Sequence, residues 1–450
     1  MKTILTAKWI APVSRPLIRD GAVVIGHGRV LDVGMQADIL PRHADAAVTA
    51  LGCALVIPGL VNAHTHLELS DITRESPPAG GFVGWLRQMI ARSIAGSREL
   101  ASRCSMATLH GIEQCLRFGV TCVGDITAQP AATRPVLAHS SLRAVSFGEV
   151  RAMGANRSLL EERIAQATDG GAPAPPGVAG ASGRPGLVAW ASRPWCRYSD
   201  AEMGMHTEDA GSDALRIGLS PHSPYSVERP GYARCLAVAR QRGIPLATHL
   251  SENPAEAEFL ERQSGPFREL WNTLPWWDKH IPRFAGGPIR MAHSLGLLDF
   301  PAVLAHVNCC DDAELDLLAA GRASVVYCPR TSAWFGHPPH RFREMLARGI
   351  NVALGTDSCA SSPDLDLLEE ARCVHRLAPD VPPDTLFQMI TLNGARAIGW
   401  AGELGSLDPG KHADLAVFAT MTDDPLREIL EASLLPDRVF IAGRDVTDLA

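Results

Sequence analysis

The sequence predicts an α/β fold: a (β/α)8 TIM barrel with a smaller β-sandwich domain built from both chain ends. From about Val56, apolar β-rich segments that end in polar residues alternate with long helical patterns, as in repeated β-α units. There are eight such segments, namely "LVIPGLVNAHTH", "GVTCVGDIT", "LRAVSFGEV", "LRIGLSPHSPYSV", "IPLATHLSE", "PAVLAHVN", "ASVVYCPRT" and "NVALGTDS". Eight β-α units predict a closed barrel, in which chemistry takes place at the C-terminal ends of the strands.

The two ends of the chain contain short strand patterns separated by glycine turns. "GAVVIGHGRVLDVG" predicts a hairpin between Gly26 and Gly28, whereas "GSLDPGKHADLAVF" and "RVFIAGRDV" predict strands after a last helix at "TLNGARAIGW". Neither end alone has enough strands to be stable. We therefore expect residues 1–56 and 401–450 to form one discontinuous domain beside a barrel of residues 57–400. The Gly/Ala/Pro-rich segment 168–186 is expected to be a mobile surface insertion.

Composition limits the class of protein and the kind of partner. With 46% hydrophobic residues, 20% charged residues and no apolar run near the ~18 residues of a membrane span, we expect a non-membrane protein. The N-terminus is a poor secretory signal, which favours the cytoplasm. A net charge of -7 argues against nucleic acid and fits a small-molecule substrate, while a homo-oligomer stays open. Eleven cysteines without a C-x-x-C pair indicate reduced core residues, including Cys309 and Cys310.

The stretch "VNAHTHLELS" ends an apolar run with His64 and His66. Side chains alternate along a strand, so these two imidazoles lie on the same side if the segment is extended. Two imidazoles about one pleat apart can share a metal ion, although an isolated H-x-H also arises by chance.

Further polar residues end other predicted strands: His222, His249, His306 and Asp357. They converge on one axis if the barrel closes. Imidazole and carboxylate groups are ligands of a divalent ion such as Zn²⁺, which in catalytic sites keeps an open position for water. A purely structural role would require five unrelated histidines to end barrel strands by accident.

The motifs "PGLVNAHTHLE", "SPHSPYSV", "HLSENPAEAEFL", "LAHVN", "VVYCPRTSAWFG", "NVALGTDS" and "GSLDPGKHADLAVF" resemble the amidohydrolase superfamily, in particular its branch of cytosine/guanine deaminases, methylthioadenosine deaminases and triazine chlorohydrolases. The resemblance covers nearly the whole chain. It implies the metal ligands His64, His66, His249 and Asp357, with His306 beside the metal-bound water and Glu252 as proton shuttle. Within the branch, "HTHLELS" followed by F-V-G-W-L is similar to aminofutalosine deaminases.

A single metal ion is expected. Binuclear members of the superfamily bridge their metals with a modified lysine on the fourth strand, but lysine occurs here only at positions 2, 8, 279 and 411. Zn²⁺ is favoured and Fe²⁺ stays open. Such an ion lowers the pKa of bound water toward ~7, and Asp357 is placed to ligate the ion and accept a proton.

Glu252 follows His249 by three residues and can deliver a proton to a ring nitrogen of the substrate. The alternative is a carboxylate at the start of the helix in "SENPAEAEFLE". His306 is expected to hydrogen-bond the attacking oxygen, although a role as fifth ligand stays open.

Three residues are candidates for contacts with the substrate. His222 is one, with a hydrogen-bonded strand-end histidine as the alternative. Trp85 in "FVGWLRQMI" and Arg330 in "CPRTSAWFG" would supply an aromatic wall and a charged contact, although the spacing of the apolar residues around Trp85 also suits core packing.

The predicted function is hydrolytic deamination of an amino-substituted aromatic N-heterocycle or nucleoside-like compound, with aminofutalosine the first to test. The alternatives are dechlorination or cyclic amide hydrolysis at the same metal, or a non-catalytic barrel used in assembly. Glu252 favours deamination, because an amine leaving group and a ring nitrogen both need a resident acid.

Overall fold

The computed structural model describes residues 2–74, 80–95, 99–170 and 214–449. Its strands are β1 (Thr3–Ile10), β2 (Ile18–Gly26), β3 (Arg29–Met35), β4 (Ala47–Ala50), β5 (Ala54–Pro58), β6 (Leu60–Thr65), β7 (Val120–Thr127), β8 (Arg143–Val150), β9 (Leu215–Pro221), β10 (Ala247–Leu250), β11 (Val303–His306), β12 (Ser324–Tyr327), β13 (Val352–Leu354), β14 (Leu415–Ala419), β15 (Arg438–Ile441) and β16 (Arg444–Asp445).

The helices are α1 (Gln36–Arg42), α2 (Gly81–Ala95), α3 (Leu100–Arg117), α4 (Pro130–Ala138), α5 (Leu160–Ala167), α6 (Arg229–Arg242), α7 (Pro254–Arg262), α8 (Gly265–Asn272), α9 (Gly287–Ser294), α10 (Asp312–Ala320), α11 (Pro329–Phe335), α12 (Phe342–Ala347), α13 (Leu367–Leu377), α14 (Pro383–Met389), α15 (Leu392–Ala397) and α16 (Pro425–Glu431).

The eight strands β6 to β13 form the barrel. β6–β9 and β10–β13 are two parallel sheets, each paired in chain order. Parallel bridges join the sheets at both seams, Leu219 with Leu246 and Thr65 with Asp357. At the second seam the Asp357 N–H donates to the His64 carbonyl at 3.1 Å. The ring therefore closes, which confirms the predicted barrel.

Small and β-branched side chains fill one core of the barrel strands, as the alternation of strand side chains requires. This core includes Val61, Ala63, Cys122, Val145, Ala247, Val303, Val326 and Ala353. Gly355 follows β13 where the last strand approaches the first, and a Cβ there would lie 2.8 Å from the His64 carbonyl oxygen. The seam thus needs glycine for the close backbone contact beside His64.

The remaining strands form one eight-stranded sheet in the order β16-β15-β14-β5-β1-β2-β3, with β4 paired to β1. Both chain ends contribute, since β14 pairs with β5 through Leu415 and Pro58. An antiparallel bridge between Arg29 and His412 connects the far edge of the sheet to the segment before β14. The predicted hairpin is confirmed: β2 and β3 are joined at His27 and Gly28, which both have positive φ.

Two details differ from the sequence analysis. The first predicted strand segment is split, because β5 belongs to the end sheet and runs to Pro58, while β6 starts the barrel at Leu60. A Cβ at the intervening Gly59 would lie 2.2 Å from Thr121 Oγ1. The prediction that "TLNGARAIGW" is the last helix is wrong, because α16 follows it and buries Leu426, Ile429 and Leu430.

The predicted insertion 168–186 lies outside the described residues from position 171 onward. In the part of the chain that is described, no helix has both the length and the apolar character needed to cross a bilayer.

Candidate active site

Four histidines and one aspartate meet at the C-terminal ends of the barrel strands. His64 lies in β6, His66 follows it, His249 lies in β10, His306 ends β11, and Asp357 follows β13. The His66 Nε2 and His249 Nε2 atoms are 3.2 Å apart, and Asp357 Oδ1 lies 3.7 Å from His64 Nε2 and 3.6 Å from His66 Nε2. Ligand atoms of His64, His249 and His306 also lie within 4.8 Å of one another. The structure therefore brings together all four predicted metal ligands, with His306 beside them.

The cluster contains buried nitrogen atoms without hydrogen-bond partners, as expected of a site that binds a cation. Both ring nitrogens of His64 are buried and have no hydrogen-bond partner among the described residues, and the side chain is 0% exposed. An imidazole buried without partners is costly unless something else binds it. Imidazole nitrogens and carboxylate oxygens are together a donor set that Zn²⁺ accepts.

Electrostatics favour the neutral, ligand-competent form of the histidines. Burial, together with the nearby His64, lowers the pKa of His66 to about 4. Burial also lowers the pKa values of His249 and His306 well below the usual histidine range. Burial alone raises the pKa of Asp357, but the nearby imidazoles of His64 and His66 outweigh it and hold this pKa below the usual range. The aspartate is thus ionised beside imidazoles that keep a free lone pair.

Surrounding groups orient the ligands. His249 Nδ1 donates to the His222 carbonyl at 3.0 Å, which leaves Nε2 facing the cluster. Ser361 Oγ donates to Asp357 Oδ2 at 2.7 Å, which leaves Oδ1 facing the histidines. The backbone of His306 (φ 74°) and Asp357 (φ 56°) is left-handed, and such strain in non-glycine residues concentrates at functional sites.

Glu252 lies at the edge of the cluster as a buried carboxyl. Its Oε2 is 3.7 Å from His306 Nε2, and its residue is 3% exposed. Burial, followed by the nearby Asp357 and Glu256, raises the pKa of Glu252 well above its usual value. The helix-start role belongs to other groups: Asn253 caps α7 and forms a capping box with Glu256. Glu252 is therefore available to hold a proton.

A cavity opens beside the cluster and includes two of the three predicted substrate contacts. Trp85 of α2 lines it, and its indole N–H donates to the Ala360 carbonyl at 3.1 Å, close to Asp357 in sequence. His222 lines it as well, with Nδ1 hydrogen-bonded to Ser226 Oγ at 2.6 Å and to Ser223 Oγ at 2.9 Å. Its Nε2 lies 3.8 Å from Glu149 Oε2. His222 therefore makes the hydrogen bonds expected of a structural histidine at a strand end, and it also has an edge toward the cavity.

Arg330 lies elsewhere. Its Nε donates to Glu370 Oε1 at 2.6 Å and one terminal nitrogen donates to Asp364 Oδ1 at 2.8 Å. It is absent from the residues that line the cavity. The structure does not bring Arg330 to the other candidate residues.

Three charged residues in the cavity wall near the cluster were missed by the sequence analysis: Glu68, Glu149 and Arg151. Glu68 accepts hydrogen bonds from Thr127 Oγ1 at 2.6 Å and from the Ala128 and Gln129 N–H groups. Arg151 forms an ion pair with Glu149. The sequence did contain a signal for two of them. Glu149 and Arg151 come at the end of the third strand segment, and His222 was identified because polar residues at the ends of barrel strands face the site.

Comparison with known proteins identifies the family of the chain and relatives with named activities. The model of the amidohydrolase family matches residues 55–446. The chain is 29% identical over 418 residues to the 5-methylthioadenosine/S-adenosylhomocysteine deaminase of Nitratidesulfovibrio vulgaris, covering 90% of this chain and 80% of that protein. It is 28% identical over 388 residues to the aminodeoxyfutalosine deaminase of Deinococcus radiodurans, covering 84% and 81%.

Among solved structures, Helicobacter pylori aminofutalosine deaminase in complex with methylthio-coformycin aligns with a TM-score of 0.79 at 20% identity, covering 99% of this chain and 100% of that one. At this identity the likeness concerns the fold. The family match confirms the resemblance inferred from the motifs and, with it, the predicted class of enzyme, a hydrolase of carbon–nitrogen bonds.

Proposed function

Because this chain belongs to the amidohydrolase family, we propose that it hydrolytically deaminates the heterocycle of a nucleoside-like small molecule. One observation carries the proposal: a buried carboxyl, Glu252, lies 3.7 Å from His306 at the edge of a histidine and aspartate cluster that opens into one cavity. The cluster is suited to hold a metal, and the carboxyl is suited to supply the proton that an amine leaving group needs.

His64, His66, His249 and Asp357 would hold one divalent ion, which we propose to be zinc, with iron as the alternative. When bound, the ion supplies Lewis-acid activation of water for attack on the carbon that bears the amino group. The unpartnered nitrogens of His64 and the Nε2 atoms of His66 and His249, 3.2 Å apart, support this assignment. The described part of β9 contains no lysine that would bridge a second ion.

Burial raises the pKa of Glu252 well above its usual value and so favours the uncharged, proton-carrying form of this carboxyl. It is the group placed to give that proton to a ring nitrogen of the heterocycle and then to accept another for the departing amine. Asn308 fixes the loop by donating from Nδ2 to the Glu252 carbonyl at 3.1 Å. The main chain at Glu252 is therefore held without help from the substrate.

The other residues orient the substrate and the attacking oxygen. The His306 imidazole faces the cluster and would hydrogen-bond the attacking oxygen, while His340 Nε2 donates to the His306 main-chain carbonyl at 2.8 Å and holds the backbone there. Trp85 offers an aromatic face, and His222 offers an imidazole edge to the heterocycle. Arg330 has no part in this assignment.

The relatives are named as deaminases of 5-methylthioadenosine and S-adenosylhomocysteine and of aminodeoxyfutalosine, and we propose compounds of this kind as the substrate class here. Aminodeoxyfutalosine is the first compound to test, and 5′-methylthioadenosine is the second. Release of chloride or opening of a cyclic amide is the second candidate reaction, and of these leaving groups only chloride departs without a proton from Glu252.

The test is ammonia release by purified zinc-loaded protein from each nucleoside, with a chlorotriazine and a cyclic amide as comparison substrates. We expect ammonia from at least one adenine nucleoside and the matching inosine-type product by absorbance. Chloride release or amide opening without any ammonia would overturn the proposal.

A further inference from the structure

The loop between β10 and α7, which carries Glu252, has a backbone conformation that needs support. Ser251, the residue before Glu252, has φ 53°, in the left-handed region that non-glycine residues rarely adopt. Ser251 and Glu252 are 4% and 3% exposed, so their main-chain polar groups need partners within the protein. Such a conformation persists only where the surrounding structure holds it.

The side chain of Glu256, in the first turn of α7, binds this loop from the helix side. Its Oε1 accepts the N–H groups of Glu252 at 2.6 Å and of Asn253 at 3.2 Å, and its Oε2 accepts the Ser251 N–H at 3.0 Å. Glu256 is itself 1% exposed. Three consecutive N–H groups of the loop are therefore bound by one buried carboxylate.

This arrangement exceeds what the capping of a helix requires. In a capping box, the glutamate at the third helical position accepts one N–H group, that of the N-cap residue. Glu314 does this at the start of α10, where its Oε2 accepts the Asp311 N–H at 3.0 Å. For Glu256 the N-cap residue is Asn253, and the bonds to the two preceding residues are additional. The additional bonds hold the loop rather than the helix.

The segment after β11 holds the same loop from the opposite side. The Cys309 N–H donates to the Ser251 carbonyl at 3.0 Å, and Ser251 Oγ donates to the Cys309 carbonyl. Asn308 Nδ2 donates to the Glu252 carbonyl at 3.1 Å. The carbonyl groups of the loop are thus bound on one side, and its N–H groups are bound by Glu256 on the other.

We propose that Glu256 is a positioning residue for the reaction, because it holds the main chain that keeps the Glu252 carboxyl at the edge of the histidine cluster. Glu252 lines the cavity and Glu256 does not, so Glu256 acts through Glu252 rather than on the substrate. The inference rests on the proposed deaminase function and deepens it. Proton transfer then depends on a second buried carboxyl, since a misplacement of about 1 Å can lower a rate by about 10²-fold.

The first experiment measures kcat and KM for ammonia release by zinc-loaded wild type, Glu256→Gln and Glu314→Gln. Glutamine keeps one acceptor oxygen and has an NH2 donor in place of the other, so at least one N–H group of the loop loses its partner. In Glu256→Gln, kcat should fall at least about tenfold, whereas KM should stay within about twofold. Zinc content should not change.

Glu314→Gln is the matched control. It makes the same substitution in the other capping box, and Glu314 does not line the cavity, so this variant should retain the wild-type kcat. Glu256→Asp keeps the charge but withdraws the carboxylate by one methylene group. It should show the pattern of Glu256→Gln, and it supplies the test if the glutamine variant does not fold. The thermal midpoint verifies the folding of each variant.

The second experiment separates positioning of Glu252 from a general structural role. If Glu256 acts through Glu252, the double variant Glu252→Gln/Glu256→Gln should be slower than Glu252→Gln alone by no more than about twofold. A general structural role would lower kcat by the same factor in both backgrounds, and that result would overturn the proposal.

The third measurement does not depend on turnover. Amide hydrogen exchange in a peptide of residues 250–257 should be faster in Glu256→Gln than in the wild type, because a main-chain hydrogen bond is lost. Exchange at the start of α10 should not change. Unchanged exchange in residues 250–257 would overturn the support of the loop by Glu256.

The outcomes separate this inference from the proposed function. If the wild type releases no ammonia from any nucleoside, the proposed function fails, and the role of Glu256 in the reaction fails with it. If the wild type is active and Glu256→Gln retains kcat, or loses zinc together with activity, positioning by Glu256 is overturned while deamination stands. A lower kcat with zinc and KM retained, and no further loss in the Glu252→Gln background, supports it.

Discussion

Two buried polar clusters lie at the same end of the barrel, and they differ in how their hydrogen bonds are satisfied. The guanidinium of Arg330 donates to Glu370, to the side chain and carbonyl of Asp364, and to the Asp366 carbonyl. The histidine cluster has the opposite character, since neither ring nitrogen of the buried His64 has a partner among the described residues. A network in which every polar group has a hydrogen-bond partner stabilises the protein. A buried network with unpaired groups is instead suited to bind a ligand that the chain itself does not supply.

The largest expected effect tests the open cluster. His66→Ala removes an imidazole whose Nε2 lies 3.2 Å from that of His249, so the variant should lose bound metal and all measurable turnover together. Metal analysis and ammonia release measure the two quantities. His110→Ala, on the exposed face of α3, is the control and should retain both. Stripping the wild type with a chelator should abolish turnover, and zinc should restore it. Full metal content and full rate in His66→Ala would contradict the assignment.

The second prediction tests the closed cluster. Arg330→Met leaves Glu370 buried without its partner, and such a loss costs about 3–5 kcal/mol of unfolding free energy. Denaturant unfolding measures it. The double variant with Glu370→Leu should recover most of the loss, because the unpaired charge is gone. The KM of the folded enzyme should change little. A large rise in KM with unchanged stability would instead restore Arg330 as a substrate contact.

The third prediction concerns Glu252. Glu252→Gln keeps the shape of the side chain but removes its proton, so kcat should fall by about 10²-fold or more while metal content persists. Stability should change by less than about 1 kcal/mol. Glu258→Gln is the matched control, because Glu258 lies in the adjoining helix α7 and bonds Ser264 outside the cavity. Wild-type ammonia release by the Glu252→Gln variant would refute the proton-transfer role.

The smallest effect is expected at Trp85. Trp85→Phe keeps an aromatic face but loses the hydrogen bond to the Ala360 carbonyl, a change worth about 1 kcal/mol. This corresponds to roughly a fivefold fall in kcat/KM with the metal retained. Trp9→Phe in β1 serves as the comparison, because the Trp9 Nε1 has no partner among the described residues. An unchanged kcat/KM would mean that α2 holds its position without this bond.

The contrast between the clusters also explains what the sequence predicted and what it did not. His64, His66, His249, His306 and Asp357 were predictable because strand alternation and barrel geometry place strand-end side chains on one axis. Arg330 also follows a strand segment, but it lies in α11, and its partners Asp364 and Glu370 come 34 and 40 positions later. No local pattern encodes that pairing.

The fold, too, has features that local sequence patterns predict and features that depend on contacts between distant residues. Eight strand segments and both terminal strand groups follow from local periodicity. The split of the first segment at Gly59 depends on Thr121, whose side chain leaves no room for a Cβ. Such a contact between residues distant in sequence is set by packing. The role of Asn253 and Glu256 in capping α7, which frees Glu252, was likewise decided by geometry rather than by the charge pattern.

The seam between β6 and β13 has a consequence for synthesis of the protein. Thr65 and the Asp357 carbonyl, joined there by a hydrogen bond, are 292 positions apart in the chain. At a translation rate of about 5–20 residues per second, the ribosome needs roughly 15–60 s between the two. Throughout that interval the outer edge of β6 has unpaired N–H and C=O groups, which invite pairing with other chains. Poor yield of a variant near this seam would therefore reflect aggregation of the nascent chain, even where the finished protein is as stable as the wild type.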